Sequence, residues 1–324
     1  MHVGLDVHKD FCQAAFLDQD GKLVREERFE NTDSGLLELA QATQQQQVVM
    51  ESSSSSMHVY DSLVETCKVK VAHPSKVKAI ASARIKTDKI DARILAQLLR
   101  ADMIPESYVP PKAYRQARLL VRYRASLVSA RTRIKNQIRS LLTKEGIKNP
   151  FKTNAAFGKK GLLFLRNVDL EEMQRISMDS LLSLLESFNK QIADFDKRII
   201  NMASQDSYAK LLVTMKGIGH LTALAVASEI CDINRFSSYK KLCSYFGLVS
   251  SVYQSSTTER RGHITKQGNA LLRSMLIQDA RVAVRYSEYF KRKYEKLLAK
   301  GVKEKKAIVA IARRMVVILS LIHI

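Results

Sequence analysis

"HVGLDVHKDFCQAAFLDQDGKLVREERFE", residues 2–30, decides how the amino-terminal part of the chain folds. "HVGLDV" (2–7) is an apolar run of strand length, and "FCQAAFL" (11–17) is a second. "DQDG" (18–21) is a hairpin signal leading into "KLVREERFE" (22–30). Outward from this core, "NTDSGLLELAQA" (31–42) opens a helix behind the cap-type residues Thr32 and Asp33. "QVVM" (47–50) reads as a buried strand that ends at Glu51. A helix from about Met57, a strand in "KVKVAHP" (68–74) and a helix carrying Asp88 and Asp91 to about Ala101 follow. A strand hairpin followed by alternating helices and strands predicts an α/β domain over 1–104, a mixed sheet covered by helices.

"IPESYVPPK" (104–112) holds three of the five prolines and reads as a linker. Beyond it the spacing predicts one long helix over 113–144, with Leu120, Tyr123, Leu127, Ile134, Ile138 and Leu141 on its apolar side. Residues 115–144 contain no Asp or Glu, whereas Arg115, Arg118, Arg122, Arg131 and Lys135 are among many cations there. A solvated face normally mixes signs, so this run is expected to track phosphates. A second helix over about 178–203 repeats Leu181, Leu185, Phe188, Ile192, Phe195 and Ile199 at alternating spacings of four and three, a short heptad seam. It suits either an antiparallel helical pair or a dimerising coiled coil. Residues 105–205 are therefore expected to be linker and basic coiled-coil helices, and 206–324 a mainly α domain. In that domain "KGIG" (216–219) makes a glycine turn between two helices, and an apolar end, "RRMVVILSLIHI" (313–324), carries no stop signal, so a further stretch or a packing partner is expected there.

The 324 residues carry 53 Lys+Arg against 32 Asp+Glu, a net charge of +21, which points to a polyanionic partner, foremost nucleic acid. No apolar run reaches the length of a membrane span, and the start lacks the pattern of a secretory signal. The four cysteines form no CxxC pair and the histidines do not cluster with them, which speaks against structural zinc and suits the cytoplasm.

Two constellations carry chemistry. Asp6, Glu51, Asp88 and Asp91 come from three separate elements that can converge at the strand ends of an α/β sheet, where carboxylates suit Mg²⁺ or Mn²⁺ and phosphodiester transfer. Each also has a plainer reading as a turn, cap or first-turn acid. The second is "YFGLVSSVYQSSTTERRGHITKQGNALLR" (245–273), where serines and threonines crowd beside Arg260, Arg261, Lys266 and Arg273. Read as chemistry, a phosphate-binding loop and an activated serine nucleophile both fit.

These pieces together resemble the insertion-sequence transposases of the DEDD type that carry a carboxy-terminal serine and are guided by a structured RNA. The likeness lies in "GLDVHKD" (4–10), "VMES" (49–52), "KTDKIDARILAQLLR" (86–100), "KGIGHLTALAVASEI" (216–230), "RFSSYKKLCSYFGLV" (235–249) and "YQSSTTERRGHITKQGNALLR" (253–273). The resemblance implies a RuvC-like, ribonuclease-H-type domain, a coiled-coil segment and a transposase domain. It implies Mg²⁺ or Mn²⁺ on Asp6, Glu51, Asp88 and Asp91, and a serine nucleophile two residues after a tyrosine. With Tyr253 as that tyrosine the serine is Ser255, and Ser256 is the alternative. Donor and target DNA, a guide RNA and a homo-oligomer are the implied partners. A RuvC-like nuclease using water, with the serine segment only binding phosphate, is the alternative function.

Overall fold

Five strands build one sheet at the amino terminus of the computed structural model, which describes residues 1–81, 87–152, 155–255 and 258–322. They are β1 (His2–Val7), β2 (Phe11–Leu17), β3 (Leu23–Glu30), β4 (Gln47–Glu51) and β5 (Lys68–Ala72), in the order β3-β2-β1-β4-β5. β1, β2 and β3 pair antiparallel through hairpins, and β4 and β5 add parallel to β1. This mixed sheet is the ribonuclease-H-type arrangement that the resemblance implies. The helices α1 (Asp33–Ala42) and α2 (Ser56–Leu63) supply the crossovers, and α3 (Pro74–Ile80) and α4 (Asp88–Arg100) follow β5. α3 is too short to announce itself by periodicity.

The period of two along each strand sorts the side chains into two layers. Val3, Leu5, Val48, Met50 and Val71 face one way and bury with Leu36, Leu39, Val59 and Leu63 of α1 and α2. Val49 and Ala72 face the other way, into Val77, Leu95, Leu98 and Leu99 of α3 and α4. Burying each such Leu or Val contributes about 1.5–3 kcal/mol. Gly4 belongs to the α4 layer. A β-carbon there would meet Ala92 O at 2.0 Å and Ala96 N at 2.6 Å, so the helix lies directly on the β1 backbone.

The chain divides into two compact units, Met1–Val109 and Pro110–Ile324. The second starts with α5 (Lys112–Lys144), followed by α6 (Lys159–Asn167) and α7 (Glu172–Gln205). The heptad seam resolves into the antiparallel pair. Leu185, Ile192 and Ile199 are buried, Tyr123 packs on Phe195 at 5.1 Å, and Arg124 and Arg131 of α5 reach Asp196 and Asn189 of α7. Next come α8 (Ser207–Val213), α9 (His220–Ile230) and α10 (Tyr239–Tyr245), then β6 (Ser250–Ser255), β7 (Thr258–Ile264), α11 (Ala270–Tyr286), α12 (Glu288–Ala299) and α13 (Glu304–Ile322). α9 is buried almost along its whole length, and Leu276, Ala280, Ile311, Ala312 and Met315 close the core around it. The helices of the 105–205 stretch pack inside this second unit. The serine-rich stretch, read above as a loop, is an antiparallel hairpin with Tyr253 opposite Arg260. Its alternation is masked in the sequence by the run of serines and threonines.

Candidate functional site

β1 and β4 run parallel with Leu5 opposite Met50. The next residue on each strand is Asp6 and Glu51, so both stand at the carboxyl ends of neighbouring strands, on the α4 side by parity. α4 begins at that same end. Its cap is Thr87, whose hydroxyl accepts from the Ile90 N–H at 3.3 Å, and Asp88 and Asp91 occupy its first turn. Acids there are favoured by the helix dipole, which offsets their mutual repulsion. Three contacts fix the helix axis: its seat on Gly4, the Gln97 amide donating to Gly21 O at 3.0 Å, and Arg93 holding Glu26 of β3 through bonds of 2.5 and 2.8 Å.

The result is a tight cluster that includes one residue not singled out from sequence. His8 Nε2 lies 3.1 Å from Asp6 Oδ2 and 3.3 Å from Asp88 Oδ1. Ligating atoms of Asp6, His8 and Asp88 all fall within 4.8 Å of one another. Glu51 and Asp91 are not in that innermost group, although the Asp91 charge is felt at Asp6. Burial pushes the Asp6 carboxyl above its ordinary range. His8 pulls it back, and the charges of Asp88 and Asp91 add to the rise. His8 is two residues beyond Asp6 and one past the end of β1, a signal that period-two counting carried one residue past the strand would have found. Its ring stacks on Phe11 at 4.7 Å. Two carboxylates and an imidazole converging at a half-open strand end form a donor set that fits a divalent cation, and the oxygens suit Mg²⁺ or Mn²⁺.

In the second unit, Ser255 closes β6 and pairs through its backbone with Thr258. The side chains of Ser255 and Arg261, and all of Ser256, lie outside the described residues. Tyr253 is 71% exposed. Arg260 and Lys266 are exposed as well. The basic residues of α5 divide by environment. Arg118 donates to Ser228 O at 2.8 Å and to Glu229 O at 3.2 Å, and Arg122 donates to Glu229 Oε1 at 2.8 Å. Glu229, buried on α9, also accepts from the Asn269 amide at 2.8 Å and meets the Tyr245 hydroxyl at 3.3 Å. Arg273 is buried and donates to Phe246 O and Gln267 O. Arg118 and Arg273 thus spend their guanidinium groups inside the fold. Arg115 and Arg131 are half-buried. Lys135 sits 5.0 Å from the Phe157 ring, its ammonium pulled below the usual range by burial and then by Arg131 and Arg139.

Comparison with known proteins agrees with this architecture. A transposase model of the DEDD, IS110 type matches residues 3–146, and the model described as "Transposase IS116/IS110/IS902 family" matches residues 209–295. The chain is similar to the transposase for insertion sequence element IS1111A of Coxiella burnetii, 26% identical over 88% of this chain and 78% of that protein. It is 26% identical to the transposase for insertion sequence element IS1328 of Yersinia enterocolitica, over 68% of this chain and 66% of that protein. The pilin gene-inverting protein of Moraxella lacunata is 26% identical over 98% of this chain and 94% of its own length. Among the described residues no helix is long and apolar enough to cross a membrane.

Proposed function

The chain belongs to the IS116/IS110/IS902 family of transposases, enzymes that cleave and join DNA, and from that premise we propose that it moves an insertion sequence through a serine nucleophile assisted by divalent metal. The observation that carries the reading is the convergence of Asp6 and Asp88 with His8 at the carboxyl end of β1. Asp6, Glu51, Asp88 and Asp91, with His8 beside Asp6 and Asp88, would hold Mg²⁺ or Mn²⁺, which would supply charge neutralisation to a phosphodiester. Ser255 Oγ gives up its proton and bonds to phosphorus as the bridging phosphorus–oxygen bond breaks, and the departing strand leaves as a hydroxyl once its oxygen takes up a proton. The phosphodiester energy is kept in a phosphoserine link, and a second strand end reverses the step. Exposed cations such as Arg260 and Lys266 neutralise the phosphate backbone.

A relative named for gene inversion that aligns over 98% of this chain supports strand exchange over simple hydrolysis. The family resemblance adds a structured guide RNA and a homo-oligomer as partners, acting in the cytoplasm, and the net charge of +21 supports polyanion binding. The test is a denaturing gel of the full chain with labelled DNA, Mg²⁺ and RNA. Wild type is expected to give a covalent band, lost in Ser255→Ala while DNA binding persists. Free cleaved ends without a band, insensitive to Ser255→Ala, would replace the serine by water.

A further inference from the structure

An open groove of about 620 Å³ lies wholly within the second unit, between β7 and α13. Its lining combines the apolar Leu248, Ile264 and Val309 with His263, Lys266, Lys305, Lys306 and Arg313, and includes Ser250. Among the described residues, no acidic side chain lines it. The nearest acid along α13, Glu304, is hydrogen-bonded by Tyr294. Lys266 is held at φ +54°, a strained backbone for a residue with a β-carbon. The α13 wall, with Lys305, Lys306 and Arg313, lies beyond residue 295, where the matched family segment ends.

Cations gathered without counter-charges repel one another, so the arrangement stores an attraction for an anion. Apolar side chains among the cations add a second requirement. Duplex nucleic acid hides its base faces in the stack and has little use for such a lining. A single strand exposes them, and can set phosphates on the cations with its sugars and bases against the apolar lining. The sugar decides between DNA and RNA. A 2′-hydroxyl against Leu248, Ile264 and Val309 would lose water, a cost that deoxyribose does not carry.

We propose that this groove binds the sugar–phosphate backbone of single-stranded DNA beside the β6–β7 hairpin. The inference rests on the reading of that hairpin as the part of the chain that meets DNA. Lys305 and Lys306 grip phosphates from the first turn of α13, and Lys266 grips from the loop after β7.

The experiment compares full-length wild type with Lys305→Glu/Lys306→Glu by fluorescence anisotropy on a labelled single-stranded 20-nucleotide DNA, across a salt series. Both positions are exposed in the first turn of α13, where acids suit the helix dipole, so the variant is expected to fold, as circular dichroism will check. Affinity should fall at least tenfold. The slope of log K against log salt should shrink by about 1.4, from ~0.7 per phosphate lost. A control of equal charge change, Lys240→Glu/Lys291→Glu, should move both by much less. An RNA of the same sequence should lose less affinity than the DNA. Unchanged DNA binding, an equal effect in the control, or an equal or greater loss for RNA would each overturn the proposal. The same loss in a Ser255→Ala background supports the groove independently of the nucleophile. If wild type gives no covalent adduct yet the groove effect persists, the serine reading fails and the groove stands.

Discussion

Asp6 is held in a half-buried position whose desolvation disfavours its charge, and the neighbouring Asp88 and Asp91 add to that cost. His8 offsets part of that cost, and a bound cation would offset more. Asp6→Asn is therefore expected to abolish tight Mn²⁺ binding, read by titration with electron paramagnetic resonance, while the metal-free chain melts at the same temperature or slightly higher. The opposite pattern, metal retained and stability lost, would make Asp6 a structural residue. Asp279 on α11 presents a related strain, with no partner cation among the described residues. Burial raises its carboxyl to about 6, partly offset by a hydrogen bond from Thr222. An acid whose folded value is raised binds its proton more tightly when folded. Stability therefore falls as pH climbs from about 4 to about 6 and stays lower above it. After allowance for partial solvent access the loss is about 1–2 kcal/mol. Asp279→Asn should recover it at pH 7 and flatten the profile in urea denaturation between pH 4 and 7.

At the scale of elements, α4 is placed by the absence of a side chain. Any β-carbon at position 4 would enter the Ala92 carbonyl, so Gly4→Ala must lift the helix off β1. The expected cost is about 2–3 kcal/mol, within the range for overpacking. Because Asp88 rides on the lifted end, metal affinity should fall as well, although no ligand has changed. Retained affinity would mean that the cluster does not depend on the seat of α4. In the second unit a single buried carboxylate, Glu229, joins α5, α9, α10 and the start of α11 through Arg118, Arg122, Tyr245 and Asn269. Removing it leaves guanidinium groups without their counter-charge. Glu229→Ala should cost about 3–5 kcal/mol in chemical denaturation, and Glu229→Gln less, since an amide still accepts from Asn269.

At the scale of the whole molecule, the buried clusters among the described residues divide with the chain: two lie entirely within the first unit and two within the second. Calorimetry should accordingly show two transitions, with Gly4→Ala lowering one and Glu229→Ala the other. A single transition moved by both substitutions would show that the units unfold together. The charge of +21 acts at this scale too, setting a steep salt dependence of nucleic-acid binding whichever strand is bound.

What the sequence determined by itself was the layout of the amino-terminal sheet, the helical character of the rest and the charge. Strand runs, turn residues and one-sign stretches are local properties, and local physics reads them. Two carboxylates at strand ends and two in a helix's first turn could also be recognised as candidates, and the family motifs ordered them. Tertiary structure decided which atoms meet. His8 joins Asp6 and Asp88 because α4 lies on Gly4. Arg118 faces inward because Glu229, on a helix more than a hundred residues later, needs its charge. The basic groove exists because α13 returns beside β7. Each of these depends on contacts between residues distant in the chain, whose closure entropy and packing no window of sequence contains.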